Sequence, residues 1–175
     1  MAAKGFIKLL EIAERSKQRG AGLFGQSEGN WTGVAFTLGD QGFLVPIGEV
    51  AEILKVPRYT MIPGVAGWMK GLANVRGRLL PIMDLLLFVN KRSQLSELKR
   101  RILVVDHGDV FSGLIVDEVQ GMQHFSASNY VTDSDGVFPE LAPYVQGAFT
   151  REGKRWYVLL LSRLVEDPRF LKAAA

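Results

Sequence analysis

The most informative part of the sequence is Gly71-Leu-Ala-Asn-Val75, then Arg76-Gly77, then Arg78-Leu-Leu-Pro-Ile-Met83. Two extended segments flank a two-residue turn whose second residue is glycine, an arrangement that predicts a tight β-hairpin. Arginine is unusual at the first turn position, which often needs a positive φ and favours Asn, Asp or Gly. At the rim of a sheet, the guanidinium group of Arg76 could bind carboxylates or carbonyl oxygens of a partner. It could equally be a solvated tip residue, and the sequence leaves both open.

The same order of elements occurs twice along the chain. Each half begins with a hairpin, continues with a short extended segment and ends with a second hairpin, and the second half contains a longer insertion. The corresponding stretches, first half before second, are residues 34–47 and 101–116, 47–50 and 116–119, and 71–83 and 147–161. This weak duplication predicts an all-β fold of two similar antiparallel barrels. We expect barrel one at about residues 31–88, a linker at 89–100 and barrel two at about 101–164.

The chain ends are expected to differ from this β-rich part. Between Lys4 and Arg19 apolar residues recur at helical spacing, and a Gly-Ala-Gly sequence follows, so residues 1–28 predict an N-terminal helical extension. Asp84 could cap a short connecting helix, and another short helix is expected near the end of the second half. Residues 166–175 are interpreted as a C-terminal tail.

Composition excludes several classes of function. The 175 residues include no cysteine, which removes disulfides and thiolate metal sites. No apolar run reaches the roughly 20 residues of a membrane span, and no export signal is recognised, so the cytoplasm is the expected compartment. The net charge is +3, from 21 cationic and 18 anionic side chains. Five of the cations cluster at residues 91–101, a cluster that we interpret as a solvated linker.

Catalytic and cofactor chemistry has no candidate residues in this sequence. His107 and His124 are the two histidines, and neither has a second ligand at metal-binding spacing. No phosphate-binding loop or dinucleotide-binding glycine pattern stands in the right context. We therefore expect no enzyme activity, no cofactor and no metal.

The pattern Lys-Gly-x-x-Asn-x-Arg-Gly-x-x-x-Pro-x-x-Asp-Leu, from Lys70 to Leu85, resembles the hallmark of CheW-domain proteins. Flanking stretches resemble the family too, among them Phe36-Thr-Leu-Gly-Asp40 and Ile115-Val-Asp-Glu-Val119. The resemblance covers Trp31 to about Leu164, within an expected domain of residues 29–165. More narrowly, the chain resembles the CheW-like proteins of chemosensory systems that govern type IV pili and twitching motility.

The resemblance implies a non-enzymatic adaptor built from two SH3-like five-stranded barrels. One barrel would bind the regulatory domain of a CheA-type histidine kinase, and the groove between the barrels would hold the cytoplasmic helical tip of a methyl-accepting chemoreceptor. Such an adaptor would be cytoplasmic and recruited to receptor arrays at the inner face of the membrane, so that its membrane association is only indirect. The residues matching the receptor-facing groove or its supporting hairpin are Val50, Glu52, Gly71, Asn74, Arg76 and Gly77.

A second function class stays open at this point. Small β-barrels with aromatic side chains and a basic surface can bind single-stranded nucleic acid. Phe36, Phe43 and Phe111, however, fall where core alternation would place them, and the cations are spread along the chain. We therefore expect no nucleic-acid partner. One departure from the family pattern, Pro46, predicts that its strand ends there or lies at a sheet edge.

Overall fold

The computed structural model describes residues 29–170, and the expected N-terminal helical extension lies outside these residues. The described part is rich in β-strands, with few and short helices. Its strands are Asn30–Leu38 (β1), Gln41–Pro46 (β2), Glu52–Lys55 (β3), Met69–Val75 (β4), Arg78–Asp84 (β5), Arg101–His107 (β6), Val110–Val116 (β7), Val119–Ser126 (β8), Tyr130–Val131 (β9), Val145–Arg151 (β10) and Lys154–Leu159 (β11). The α-helices are Leu85–Phe88 (α1) and Leu161–Glu166 (α2), and the 3-10 helices are Ile47–Glu49, Glu97–Lys99, Ala127–Asn129 and Ala142–Tyr144.

The strands form two sheets, so the all-β prediction is confirmed. One sheet has the order β8-β1-β2-β11-β10-β9 and the other the order β3-β6-β7-β5-β4. The prediction of purely antiparallel sheets is wrong, because β11 runs parallel to β2 and β5 runs parallel to β7. These two parallel pairs join strands that are far apart in the chain, which a tight hairpin cannot do.

The two sheets have the same topology, but they do not follow the predicted division into residues 31–88 and 101–164. The hairpin β1–β2 pairs with β8 and β11 from the second half, and the hairpin β6–β7 pairs with β3 and β5 from the first half. Each sheet therefore combines the first hairpin of one repeat with the later strands of the other. The repeated order of elements predicted from the sequence is present in the structure. The first hairpin of each repeat, however, pairs with strands of the other repeat.

Alternation along the strands produces three hydrophobic clusters. Trp156 and Val158 of β11 point into a small cluster bounded by the six-stranded sheet, while Tyr157 and Leu159 between them enter the largest cluster. In the five-stranded sheet, Ile102 and Val104 belong to a third cluster and their neighbours belong to the largest one. Each sheet thus has its own core on one face, and both sheets contribute the opposite face to a shared core between them.

Two hairpin turns match the sequence prediction closely. In the turn between β4 and β5, Arg76 has φ 50° and Gly77 has φ 82°, and between β10 and β11 Glu152 and Gly153 have φ 52° and 75°. Positive φ at both central residues is the geometry that two-residue hairpins favour. The two turns occupy equivalent places in the two sheets, as predicted. Strand β2 also ends at Pro46, one of the two alternatives expected for that residue.

The start of the expected C-terminal tail is packed against the fold. Phe170 is 1% exposed, and its ring stacks on that of Trp68 with centroids 5.0 Å apart. Phe88 at the end of α1 packs edge-on against the same tryptophan. This aromatic cluster joins the C-terminal residues to the segment that leads into β4, so Phe170 of the expected tail is part of the core.

Candidate partner-binding site

The tip of the β4–β5 hairpin is held by a hydrogen bond of its own. The backbone N–H of Gly77 donates to Oδ1 of Asn74 over 2.9 Å. Asparagine side chains commonly satisfy the backbone of a tight turn in this way. The bond fixes the backbone at Arg76, whose side chain is 66% exposed. Asn74 and Gly77 therefore support the turn, and Arg76 is the residue that the turn presents.

Arg76 is not an unpaired donor, because its guanidinium group binds the carboxylate of Glu52. Nη1 donates to Oε1 over 2.8 Å and Nη2 to Oε2, a bidentate pair. Glu52 begins β3 and Arg76 follows β4, and these strands lie at opposite edges of the five-stranded sheet. The ion pair consequently connects the two edges of one sheet. A partner at this site meets a paired arginine and glutamate, not a lone cation.

The six-stranded sheet has a comparable link. Arg151 at the end of β10 donates to the side chain of Gln123 and to the backbone carbonyl of His124, both in β8. Its guanidinium carbon lies 3.7 Å from the ring centroid of Phe125. In both sheets, an arginine next to the second hairpin turn thus binds the edge strand that follows the crossover between the sheets.

Gly71 and Val50 lie apart from the hairpin tip. A Cβ atom at Gly71 would stand 2.1 Å from the carbonyl oxygen of Thr60, whose backbone pairs with Leu72. Gly71 is thus required by a close backbone approach at the start of β4. Val50 is half-buried against the shared core, two residues before Glu52. The structure therefore brings together four of the six expected site residues, namely Glu52, Asn74, Arg76 and Gly77.

The structure contains a buried ion triad that was not predicted from the sequence. Arg100, 3% exposed, donates from Nη1 and Nη2 to the two carboxylate oxygens of Asp84 over 2.7 and 3.0 Å, and from Nε to Oδ1 of Asp117 over 3.0 Å. Burial opposes the charge on Arg100, but its hydrogen bonds and charge interactions with the two aspartates outweigh burial and raise its pKa. The interpretation of Arg100 as one cation of a solvated linker is therefore wrong.

The triad connects the two sheets. Oδ2 of Asp117 accepts from the backbone N–H of Gly39, in the β1–β2 turn, over 2.8 Å. Oδ1 of Asp84 accepts from the first backbone N–H groups of α1, which confirms the predicted cap. Spacing alone could not reveal this arrangement, because the three charged residues come from three separate segments.

A third buried carboxylate, Glu49, was also not predicted from the sequence. It is 7% exposed, and its Oε1 accepts from both the backbone N–H and the hydroxyl of Ser162, over 3.1 and 2.6 Å. Its Oε2 has no hydrogen-bond partner among residues 29–170. Burial raises the pKa of Glu49, and the bonds from Ser162 and the charge of His107 reduce that rise. Glu49 occupies the 3-10 helix that leads from one sheet into the other.

The two histidines contact other polar residues at separate places in the described structure. Nε2 of His107 lies 3.4 Å from Oε1 of Glu166, and Nδ1 of His124 lies 2.7 Å from the hydroxyl of Thr32. No cluster of three metal-ligating side chains occurs within the described residues. Across residues 29–170 there is also no helix with the length and hydropathy needed to cross a bilayer.

The family model described as the CheW-like domain matches residues 32–169 of the chain. The protein PilI of Pseudomonas aeruginosa is 45% identical over 171 residues, which cover 97% of this chain and 96% of PilI. A chemotaxis protein CheW of Helicobacter pylori is 30% identical over 113 residues, covering 64% of this chain and 68% of that protein.

Among solved structures, the crystal structure of the scaffolding protein TtCheW from Thermoanaerobacter tengcongensis shares the fold. Its TM-score is 0.68 at 24% identity, and the match covers 79% of this chain and 94% of that one. The matched region contains both sheets and the hairpin that carries Arg76. The family model covers most of the chain, and one relative is 45% identical over nearly its full length. The chain belongs to the CheW-like domain family.

Proposed function

We propose that this protein is a non-enzymatic adaptor that couples methyl-accepting chemoreceptors to a CheA-type histidine kinase. The observation that carries the proposal is the Arg76–Glu52 pair, presented on a hairpin tip that Asn74 and Gly77 hold in place. An exposed, bidentate ion pair on a rigid turn suits recognition of another protein more than catalysis. No cofactor and no metal enters the proposal.

The pilus pathway is the more specific part of the proposal. It is supported by the 45% identity to PilI, which extends over nearly the full length of both chains. We infer that the adaptor serves a chemosensory pathway that controls type IV pili and twitching motility. In this role it would be cytoplasmic and would reach the inner face of the membrane only through the receptor arrays.

The two sheets correspond, in this proposal, to the two SH3-like barrels of the family. The separate core on one face of each sheet supports this, as do the edge-to-edge contacts of Arg76 and Arg151. The receptor tip would lie along the groove between the two barrels, with Val50, Glu52 and Arg76 as the residues that border it. Gly71, Asn74 and Gly77 would act by shaping the hairpin. The kinase regulatory domain would bind a different surface.

Nucleic acid is not proposed as a partner. Stacking of bases needs exposed aromatic rings, and Phe36 and Phe43 are fully buried in the shared core. Phe111 is half-buried beneath the guanidinium group of Arg78, 3.7 Å from its ring centroid. These three phenylalanine rings are therefore in contact with other residues of the protein.

The direct test is reconstitution of the complex. The purified chain should bind the cytoplasmic signalling domain of a receptor and the regulatory domain of a CheA-type kinase from the same pathway, separately and together. Size-exclusion chromatography with light scattering should show a ternary complex that fails to form without the adaptor. Failure of both binary interactions would contradict the proposed function.

A further inference from the structure

Helix α2 covers the core that the two sheets share. Its side chains Leu161, Leu164 and Val165 are fully buried in that core. The helix follows β11 of the six-stranded sheet and packs against β6 and β7 of the five-stranded sheet. The chain then continues to Phe170, whose ring stacks on that of Trp68. Movement of α2 would therefore uncover apolar surface where the two sheets meet.

The first turn of α2 is bonded to a side chain from outside the helix. Leu160, which precedes α2, has no polar side chain that could cap it. Instead, Oε1 of Glu49 accepts from the backbone N–H and the hydroxyl of Ser162, over 3.1 and 2.6 Å. Glu49 lies in the 3-10 helix between β2 and β3, where the chain crosses from one sheet to the other. One carboxyl group thus connects this crossover to the start of α2.

The last turn of α2 contacts a second titratable side chain from another element. Nε2 of His107, at the end of β6, lies 3.4 Å from Oε1 of Glu166, the last residue of α2. The imidazole attracts this carboxylate as an ion only while it is protonated. Histidine is the side chain whose charge commonly changes between about pH 5 and 8. Both ends of the helix are therefore attached through groups whose charge depends on pH.

Rising pH weakens both attachments. Burial raises the pKa of Glu49, and the hydrogen bonds from Ser162 and the charge of His107 reduce that rise without cancelling it. Its Oε2 has no hydrogen-bond partner among residues 29–170, and water would solvate an ionised carboxylate far better than this site does. A state in which α2 has moved away and water reaches Glu49 therefore binds the proton less tightly, so rising pH favours that state. Neutral His107, in turn, supplies no charge to either carboxylate.

The other charged side chains of the surrounding elements are exposed or bound elsewhere. The strands β1 and β7, which pack against the crossover and against α2, carry no titratable side chain. Asp106 in β6 forms an ion pair of its own, and Asp109 in the following turn and Arg163 on α2 are exposed. Tyr144, in the 3-10 helix beside α2, donates to Asp167 just beyond the helix. The two attachments described above are therefore the titratable contacts at the ends of α2.

We propose that Glu49 and His107 form a pH-sensitive latch on α2, which stays closed while both groups hold their protons and opens as they release them. Ionised Glu49 is then buried without a cation beside it, and water reaches its carboxylate only when the first turn of α2 moves away. At the other end of the helix, neutral His107 no longer attracts Glu166. Opening uncovers part of the shared core and loosens the contact between the two sheets. The latch is a property of this chain and does not depend on the proposed adaptor function.

Hydrogen–deuterium exchange, measured by mass spectrometry on the full-length protein, tests the latch. The exchange of a peptide that contains α2 is compared with that of a peptide from β7 between about pH 5 and pH 8, after correction for the intrinsic pH dependence of exchange. We expect α2 to exchange faster than β7 at every pH, because it opens without unfolding the sheets. The opening of α2 should increase about three- to tenfold over this range, the change that a pKa difference of up to one unit produces.

Two substitutions remove the titrating groups, and a third serves as the matched control. In Glu49→Gln the amide oxygen can still accept from Ser162 but no charge forms, so the pH response of α2 should fall to less than about half of the wild-type response. His107→Gln, at a partly exposed position, should raise the exchange of α2 already at acidic pH, and the double variant should show no pH response. His124→Gln changes the other histidine, which contacts Thr32 in β1, and should respond to pH as the wild type does.

Three results would overturn the latch. The first is exchange of α2 in the wild type that does not change with pH after the correction. The second is equal protection of α2 and β7 at every pH, because the helix would then open only when the whole protein unfolds. The third is a pH response that persists unchanged in the double variant of Glu49 and His107, which would show that other groups cause it.

Discussion

The two short helices begin at equivalent places in the two sheets, yet their first turns are stabilised by different chemistry. At the start of α1, Asp84 caps the backbone from its own strand and is itself paired with buried Arg100. At the start of α2 the equivalent residue is Leu160, and the capping oxygen comes from Glu49 in the crossover between the sheets. The same backbone arrangement therefore occurs in both sheets, while different side chains accept the hydrogen bonds from the first turns of the two helices.

The difference predicts an asymmetry in stability. The carboxylates of Asp84 and Asp117 share a buried cation and several N–H donors. Among residues 29–170, by contrast, one oxygen of Glu49 accepts hydrogen bonds from Ser162 and the other has no hydrogen-bond partner. A buried charge that is paired becomes a large liability only when its partner is removed. A buried charge that is poorly paired already lowers the stability of the wild type.

The largest effect is expected from Arg100→Met. The substitution leaves two buried carboxylates without their cation, and breaking a buried pair in this way costs about 3–5 kcal/mol. Urea unfolding followed by circular dichroism should show that loss. Lys99→Met, at the exposed neighbouring position, should change the free energy of unfolding by less than about 0.5 kcal/mol. A loss below about 1 kcal/mol for Arg100→Met would mean that the triad is not a central support of the fold.

A second prediction treats Gly71 and Gly147, which are equivalent positions in the two sheets. A Cβ at Gly71 would lie 2.1 Å from the carbonyl oxygen of Thr60, and one at Gly147 would lie 2.5 Å from that of Val131. Replacing either residue by alanine forces the backbone apart and should cost about 1–3 kcal/mol. Gly67→Ala, with no atom within 4 Å of the new Cβ, is the control for thermal unfolding. A loss at one glycine alone would show that the two hairpins are not equivalent in packing.

Local features of this fold could be predicted from the sequence, and long-range pairings could not. The turn at Arg76 and Gly77 and the cap at Asp84 depend on residues within a few positions of each other. No local sequence feature indicates the exchange of hairpins between the sheets. The alternating pattern of β1–β2 is the same whether it pairs with the strands of its own repeat or with those of the other.

The candidate site shows the same division. The motif around Arg76 indicated the hairpin and its turn residues, but not that Glu52 pairs with Arg76, because the two strands meet only when the sheet curves. Arg100 looked like its basic neighbours, since burial is a property of the assembled sheets. A buried arginine such as Arg100 can be distinguished from a solvated one only when the positions of the two carboxylates that pair with it are known.

Glu49→Gln should increase the stability of the protein, whereas the substitutions at Arg100, Gly71 and Gly147 decrease it. Burial raises the pKa of Glu49, so the native state holds a proton on it at pH values where the unfolded chain has released it. The wild type should therefore lose stability as the pH rises above the ordinary carboxyl pKa and through the raised pKa of Glu49. Glutamine removes the charge, so the variant should lack that decline and gain about 1 kcal/mol at neutral pH. Urea unfolding between pH 4.5 and 8 measures both, and parallel pH profiles for the two proteins would contradict the account.

The smallest effect on stability is expected from Arg76→Ala. The ion pair with Glu52 is exposed to solvent, and such pairs contribute about 0–1 kcal/mol. Exchanging the two side chains, in the double variant Arg76→Glu with Glu52→Arg, should restore most of that loss. A melting curve that falls by much more would show that the link between the sheet edges is needed for folding.

In the proposed adaptor, the Arg76 hairpin faces the receptor and the kinase binds elsewhere. Isothermal titration calorimetry of the wild type and Arg76→Ala, against the receptor signalling domain and the kinase regulatory domain, tests it most directly. We predict that receptor affinity falls about ten- to a hundredfold, the loss of hydrogen bonds to a charged group, while kinase affinity and the melting temperature stay near the wild-type values. Unchanged receptor affinity combined with a loss of kinase binding would show that the Arg76 hairpin faces the kinase and not the receptor.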